Sequence, residues 1–256
     1  MRDNGLQLAI NAVGGIAALA RRLGIAQPSV STWTRIPAER VLTIETLTGV
    51  SRDLLRPDLY VGEARVIDDV DQARAREYML LGSLLRQAPT ESLLKDIARL
   101  QGDASVLGLI HMSLADAAEE TDSAAESSEF FRLFVGVGRG DLLPYGSYYL
   151  TGFLHERPLA RVREDLLKFG IERTAGLLEP EDHLGILFDV MAGLITGQFA
   201  SEPKDQQAFF ARHIQPWGAR LFADLEACAK TSFYKSVARL GAAFVEIETE
   251  AFALPA

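Results

Sequence analysis

From residue 69 onwards, apolar residues recur at helical spacing, and no stretch shows sustained alternation of apolar and polar residues. Alternation is typical of a half-buried strand, whereas a repeat of three to four residues is typical of a helix with one buried face. No repeat of fixed period occurs. The pattern therefore predicts an all-α helical bundle. The clearest predicted helices cover residues 106–118, 158–169, 183–199, 206–213, 217–228 and 232–250.

The composition is that of an ordinary globular chain, but the charge is unevenly distributed. Hydrophobic residues make up 48% of the 256 residues and charged residues 24%, a length that allows one or two domains. Residues 1–62 contain seven arginines and five acids, a net charge of +2, which leaves −11 for the rest because the whole chain carries −9. Such an acidic body repels nucleic acid and suits a cationic peptide.

The single cysteine and the N-terminal apolar run bear on location. Cys228 has no partner for an internal disulfide, and this indicates a cytoplasmic protein. The apolar run at residues 6–20 is interrupted by glycine and amide residues and lacks a basic leader, so we predict no signal peptide. No run is long enough to span a bilayer, and membrane insertion is not expected.

The motifs of catalysis and of metal or cofactor binding are not found. The glycines at 136, 138 and 140 follow no strand and precede no GK[ST], so they do not form a nucleotide loop. The four histidines lack metal-ligand spacing, and Cys228 lacks a nucleophile's context. The acids between residues 116 and 128 are interpreted as a solvated connector. We predict a protein that is not an enzyme and that needs no cofactor.

The N-terminal segment has the pattern of a helix-turn-helix. Ile16, Leu19 and Leu23 lie on one face of a predicted helix, and Gly24 accepts the positive φ of a tight turn. Trp33 and a valine three residues before it form the inner face of a second short helix.

Two further short helices are predicted after this pair. One starts with Pro37 in its first turn and ends at Gly49, with Leu42 among the residues that can face inward. Ser51 is placed to cap the other, which ends at Leu55. No helical stripe persists from residue 58 to residue 69. We therefore predict a helix-turn-helix domain at 1–57, a linker at 58–69 and a helical domain at 70–256.

The N-terminal segment resembles the Cro/YdaS family of DNA-binding proteins. The matching residues are Gly14-Gly15, Leu19-Ala20, Leu23-Gly24, Val30-Ser31, Trp33, Ile36-Pro37-Ala38-Glu39-Arg40 and Leu55-Arg56-Pro57-Asp58. The resemblance implies a recognition helix at 27–34 in the major groove of operator DNA, used by a paired chain. It places Gln27, Ser29, Ser31 and Thr32 at base edges or phosphates, and Arg21, Arg22, Arg35 and Arg40 at phosphates. The alternative is that this segment packs against the body or a partner protein.

Residues 129–150 combine a helix, a glycine-rich loop and a cluster of phenols. Phe130, Phe131, Phe134 and Val135 form a predicted apolar stripe, and the intervening polar residues, Glu129 and Arg132, are expected to face water. After the loop come three tyrosines at 145, 148 and 149. Phenols combine apolar contact area with a hydrogen-bonding tip, and the cluster therefore indicates a peptide-binding surface.

Here the chain resembles the TorD/DmsD family of redox-enzyme maturation chaperones. The resemblance rests on E-F-x-x-L-F at 129–134, P-Y-x-S-x-Y at 144–149 and E-P-E-D-H at 179–183, with a weaker H-x-x-P-W at 213–217. It implies an all-α chaperone that binds the twin-arginine signal peptide of a molybdenum oxidoreductase. The residues it implies for that site are Phe134, Pro144, Tyr145, Ser147, Tyr148, Tyr149, Glu179, Pro180, Asp182 and His183.

Other interpretations of these motifs remain open. The aromatic residues are also suited to a helical core, and Asp182 is also suited to capping the helix that follows it. The body is also compatible with a transcription regulator in which it serves only as a sensor or a dimerisation module. In the chaperone reading, client occupancy is coupled to DNA binding by the N-terminal segment.

Overall fold

The computed structural model describes residues 3–60, 67–171, 179–199 and 201–254. The chain divides into two compact units, Met1–Val66 and Ile67–Ala256, each with its own hydrophobic core. We call them the N-terminal unit and the C-terminal unit. The predicted linker at 58–69 spans the division, and its residues 61–66 lie outside the described ranges. Its bounds stay a prediction.

The N-terminal unit consists of short helices around a small apolar core. The helices are α1 Asn4–Ala12, α2 Ile16–Leu23, α3 Gln27–Ser31, α4 Val41–Thr48 and α5 Arg52–Leu55, with a 3-10 turn at Ala38–Arg40 before α4. Helix α2 ends at Gly24, whose φ of 67° supplies the left-handed turn that the sequence predicts. Val30 of α3 is fully buried, as the helix-turn-helix pattern requires.

Details of this unit differ from the sequence-based prediction. Helix α3 ends at Ser31 and not at residue 34, because the Thr32 hydroxyl and the Trp33 amide turn back to bond carbonyls within the helix. Ser51 precedes α5 but makes no capping bond; the Arg52 amide donates to the Glu45 carboxylate at 2.8 Å instead. Leu42 is 50% exposed and does not face inward.

The C-terminal unit is a helical bundle, and the all-α prediction is confirmed. Its helices are α6 Asp69–Arg86, α7 Glu91–Ile97, α8 Val106–Glu119, α9 Ser123–Phe130, α10 Gly146–Thr151, α11 Arg157–Lys168, α12 Leu184–Thr196, α13 Pro203–His213, α14 Gly218–Cys228 and α15 Ser232–Ala253. Within the described ranges, extended pairing is confined to one isolated bridge between Tyr145 and His183. In the same ranges, no helix is both long and apolar enough to cross a membrane.

Helix α12 lies at the centre of the bundle. Its sequence, LGILFDVMAGLIT, is apolar except for Asp189 and Thr196, as expected for a helix that neighbours surround on most sides. It packs closely on α6, since a Cβ at Gly82 would lie 3.0 Å from the Gly185 carbonyl oxygen. A Cβ at Gly185 would in turn lie 2.6 Å from Cγ of Arg86. The two glycines therefore set the distance between these helices.

The segment around residue 130 departs from the prediction in two ways. Phe131–Val135 is a π-helical turn, in which Leu133 is buried while Phe131 and Val135 are about half exposed. The extra residue in this turn shifts the apolar stripe. Glu129 is buried as well, where it accepts bonds from the Arg132 guanidinium and, at 2.6 Å, from the Lys230 amide.

The acidic stretch before it is not the solvated connector that we predicted. It contains helix α9, which Asp122 caps through the amides of Ala124 and Ala125. Glu126 is fully buried, and its carboxylate accepts hydrogen bonds from Thr121 and Thr231. Burial raises the pKa of Glu126, and these two hydroxyl groups lower it.

Candidate functional site

The two motifs that carry the chaperone resemblance lie side by side. The Leu184 amide donates to the Pro144 carbonyl at 2.8 Å, and the Gly146 amide donates to the Asp182 carbonyl at 2.9 Å. These bonds form the isolated antiparallel bridge between Tyr145 and His183, whose rings meet edge to face with centroids 5.2 Å apart. The start of α10 is thereby fixed against the start of α12.

Asp182 and His183 serve as helix caps at this junction. The Asp182 carboxylate accepts a 2.7 Å bond from the Ser147 amide in the first turn of α10. His183, and not Asp182, caps α12, since its Nδ1 accepts a 3.0 Å bond from the Gly185 amide. Both side chains are buried, and burial lowers the pKa of His183 to about 3. Their predicted contact with a peptide arginine stays a prediction, and the contacts described here are structural.

Glu179 and Tyr145 form the more exposed part of this junction. The Tyr145 hydroxyl donates to the Glu179 carboxylate, and both side chains are partly exposed. Burial, followed by the bond to Glu179, raises the pKa of Tyr145. Pro180 is also partly exposed, whereas Pro144 and Ser147 are buried. The Ser147 hydroxyl accepts a 3.2 Å bond from the Glu156 amide.

The other predicted aromatic residues are divided between core and surface. Tyr149 is buried, its ring stacked on Trp217 at 5.3 Å and its hydroxyl donating to Asp224 at 2.8 Å. Tyr148 is partly exposed, with the Arg139 guanidinium 5.6 Å from its ring centroid. Phe134 is half-buried against the core. Tyr149 therefore packs in the core, and its contact with a peptide stays a prediction.

Residues of the weaker H-x-x-P-W motif pack against α10 and α11. The Trp217 ring carries Tyr149, and its indole N–H donates to the His213 carbonyl at 2.6 Å. His213 Nε2 lies 2.7 Å from the Asp165 carboxylate on α11. The motif thus links α11 to the start of α14, and its Trp217 ring provides the surface on which Tyr149 of α10 packs.

A cavity of about 640 Å³ lies beside the junction, between α6, α11 and α12. Its size is within the range of ~300–1,000 Å³ typical of ligand sites. The walls are largely apolar: Leu166 and Leu167 from α11, and Ile186 and Val190 from α12. Phe199 bounds one end, where its ring packs against Gly193 at a position that a Cβ would fill.

Two carboxylates of the cavity lining, Glu181 and Asp189, are each paired with an arginine. Glu181, in the E-P-E-D-H motif, accepts bonds of 2.8 and 3.0 Å from Arg163. Asp189 lies 2.7 Å from Arg86, and its side chain is 39% exposed. Burial raises the pKa of Asp189, and the Arg86 guanidinium lowers it. Motif analysis missed Asp189, although it is the single ionisable residue in the sequence of α12.

The predicted DNA-binding side chains lie on the surface of the N-terminal unit. Gln27, Ser29, Ser31 and Thr32 are exposed along α3 and at its end, and Arg21 and Arg35 are exposed beside it. Arg35 pairs with Asp3 at 3.5 Å and with Asp58 at 3.1 Å, so part of its charge is offset. Arg22 donates to the Leu47 carbonyl at 3.0 Å. Contact with DNA stays a prediction for all of them.

Among the residues that the structure describes, no group of three or more histidines, cysteines or carboxylates is placed to hold a metal ion. The chain is thus defined by an all-α bundle that carries an acid-lined apolar cavity, together with a separate helix-turn-helix unit. Comparison with known proteins makes this class more specific.

A family model described as Nitrate reductase delta subunit matches residues 101–223, and one described as Bacterial toxin YdaS matches residues 6–64. The Chaperone protein TorD of Aliivibrio fischeri is 30% identical over 156 residues, which cover 57% of this chain and 73% of that protein. The chain therefore belongs to the TorD family.

Two further proteins are similar to this chain over part of its length. The Chaperone protein TorD of Vibrio cholerae is 33% identical over 132 residues, and the match covers 47% of this chain and 59% of that protein. A crystal structure from Archaeoglobus fulgidus is 23% identical with a TM-score of 0.45, over 67% of this chain and 93% of its own.

Proposed function

We propose that the chain is a maturation chaperone that binds the twin-arginine signal peptide of a molybdenum oxidoreductase before export. The observation that carries this proposal is the 640 Å³ apolar cavity with carboxylates in its lining. A signal peptide of this kind joins arginines to an apolar run. The cavity walls suit the apolar part, and the partly exposed Asp189 places a carboxylate next to it.

The overall charge supports the same partner. The chain outside residues 1–62 carries a net charge of −11, which raises the local concentration of a cationic peptide. Family membership supports a chaperone role, since the curated relatives are named as chaperone proteins. We place the peptide across the partly exposed residues Tyr145, Tyr148 and Glu179 and into the cavity, and not on the buried caps Asp182 and His183.

Calorimetry with the full-length chain tests this proposal. Synthetic signal peptides from oxidoreductases encoded beside this chain should bind with a measurable heat. The same peptides with the apolar run replaced by serine and glycine should bind much more weakly, because the cavity would lose its ligand. Absence of binding by every neighbouring signal peptide would contradict the chaperone proposal.

The N-terminal unit carries a second proposed function, that of binding operator DNA. The observation in its favour is the exposure of polar side chains along α3, the second helix of the helix-turn-helix. A net charge of +2 is small for a module that must contact phosphates, so we propose that the chain binds as a pair on two half-sites. Selection from random DNA with the full-length chain tests this, and failure to recover any motif would reject it.

A further inference from the structure

Asp189 is the one ionisable residue of the largely buried helix α12, and its side chain is partly exposed. Helix α12 is buried along almost its whole length, and eleven of its thirteen residues are buried. Removing a carboxylate from water is costly, and replacing a buried ion pair with apolar residues is often neutral or stabilising. An aspartate in the middle of such a helix is therefore a candidate for a binding role.

The geometry brings this carboxylate to the cavity and leaves it incompletely neutralised. The glycine contact between α6 and α12 sets Arg86 against Asp189, with 2.7 Å between Nη2 and Oδ2. One guanidinium does not use all the acceptor sites of a carboxylate. Burial still raises the pKa of Asp189 in the presence of Arg86, so a second cation would stabilise the ionised form.

The other acidic side chains near the junction accept hydrogen bonds from groups within the fold. Asp182 holds a backbone amide of α10, Glu179 accepts from the Tyr145 hydroxyl, and Glu181 receives two bonds from Arg163. Asp189 differs from them because it joins partial exposure to a position on the cavity wall.

We propose that Asp189 is the carboxylate that binds an arginine of the client peptide, while the apolar residues next to that arginine occupy the cavity. This inference rests on the proposed function and specifies its site. The peptide guanidinium joins or displaces Arg86 at Asp189, and the Arg163–Glu181 ion pair, also in the cavity lining, borders the apolar segment. The acid that distinguishes an arginine-bearing peptide is thus on α12, outside the E-P-E-D-H motif.

A double-mutant cycle with the full-length chain tests this assignment. The wild type and Asp189→Asn are titrated with a twin-arginine signal peptide and with the same peptide carrying glutamine in place of both arginines. Asp189→Asn should weaken binding of the arginine peptide by about 10- to 100-fold, as expected for loss of a charge-assisted bond. Its affinity for the glutamine peptide should be nearly unchanged. Asp96→Asn removes the same charge from an exposed site on α7 and should change neither titration.

Arg86→Gln separates a binding role from a structural one. If Asp189 binds the peptide, removal of the Arg86 guanidinium should increase the affinity for the arginine peptide several-fold at pH 8. If the Arg86–Asp189 pair only holds α6 against α12, Asp189→Asn and Arg86→Gln should both lower the melting temperature and reduce the affinity for both peptides equally. The inference is then wrong. Wild-type binding of the arginine peptide with no effect of Asp189→Asn rejects this inference alone. No binding by the wild type rejects the proposed function itself.

Discussion

The carboxylate of Asp182 and the backbone amide of Ser147, 35 residues apart in sequence, are joined by a buried hydrogen bond of 2.7 Å. Asp182→Ala should therefore lower the free energy of unfolding by about 1–3 kcal/mol, because a buried amide loses its acceptor. Asp182→Asn keeps an acceptor oxygen and should retain most of the stability and of the peptide affinity. Chemical denaturation and calorimetry on both variants measure this. A selective loss of peptide binding in Asp182→Asn, with stability unchanged, would instead place the charge of Asp182 in the binding site.

His183 makes the stability of the C-terminal unit depend on pH. Its pKa is about 3 in the folded chain and near 6.5 in the unfolded chain. Above pH 6.5 it is neutral in both states, and its contribution to the free energy of unfolding is fully present. Below pH 6.5 the unfolded chain binds a proton that the folded chain does not, and the free energy of unfolding falls. For this residue the loss between pH 7 and pH 5 should be about 2 kcal/mol.

His183→Asn tests this, because asparagine is a good N-cap residue that does not titrate. Denaturation from pH 7 to pH 5 should show a flatter profile for the variant than for the wild type. His155→Asn is the matched control, since His155 is exposed and asparagine tolerates its φ of 61°. Equal slopes for His183→Asn and the wild type would contradict the buried, neutral cap.

The close approach of α6 and α12 should be sensitive to one methyl group. A Cβ at Gly185 would lie 2.6 Å from Cγ of Arg86 and 2.8 Å from the Gly82 carbonyl oxygen, so Gly185→Ala must separate the two helices. We expect a loss of about 1–3 kcal/mol in thermal or chemical denaturation. Gly218→Ala, whose Cβ would come no nearer than 3.3 Å to a flexible side chain, Ile214, is the comparison and should cost less than Gly185→Ala. A tolerated Gly185→Ala would show that this interface can relax.

The helix-turn-helix unit gives a prediction about specificity. Gln27→Ala and Ser31→Ala should reduce sequence preference on the selected operator by about 1–3 kcal/mol per lost base contact while the fold remains intact. Arg21→Ala should weaken binding to all sequences alike and reduce the salt dependence. Fluorescence anisotropy at several salt concentrations distinguishes the two effects, with Thr46→Ala on α4 as a control outside α3. A uniform effect of every variant would place α3 away from the bases.

Linkage between the two units is the remaining expectation. If peptide occupancy changes DNA affinity, DNA must change peptide affinity by the same factor, with typical coupling of about 1–3 kcal/mol. The operator is titrated with and without saturating signal peptide at fixed salt. The peptide partly neutralises the acidic C-terminal unit, so we expect tighter DNA binding in its presence. Identical dissociation constants would reduce the fusion to a tether.

The sequence pattern predicted the fold well because a helix brings together residues three or four positions apart, so its buried face is visible in a short stretch of sequence. The spacing of apolar residues gave the all-α bundle, and Gly24 and Gly49 gave helix ends that the structure confirms at φ of 67° and 73°. The π-helical turn at Phe131–Val135 was not predictable in this way, since one extra residue in a turn leaves no trace in the spacing until the packing of Leu133 is known.

The meeting of the two motifs is seen in the structure, whereas the binding role of their side chains stays a prediction. The motifs at 144–149 and 179–183 do meet, but most of their polar groups hold the backbone. Pairings such as Glu129 with Lys230, or Asp189 with Arg86, join distant segments and cannot be derived from either segment alone. One signal for Asp189 was present in the sequence: a single charge within an otherwise apolar helix.

The bridge between Tyr145 and His183 also sets when a site can exist during synthesis. Closing this loop costs chain entropy, and contacts between distant segments form late in folding. At the start of α10, the amides of Gly146 and Ser147 lack their acceptors on Asp182 until the residues at 182–184 have emerged. A nascent chain that stops short of α12 thus lacks both the bridge and one wall of the cavity, so the cavity forms only after α12 has been synthesised.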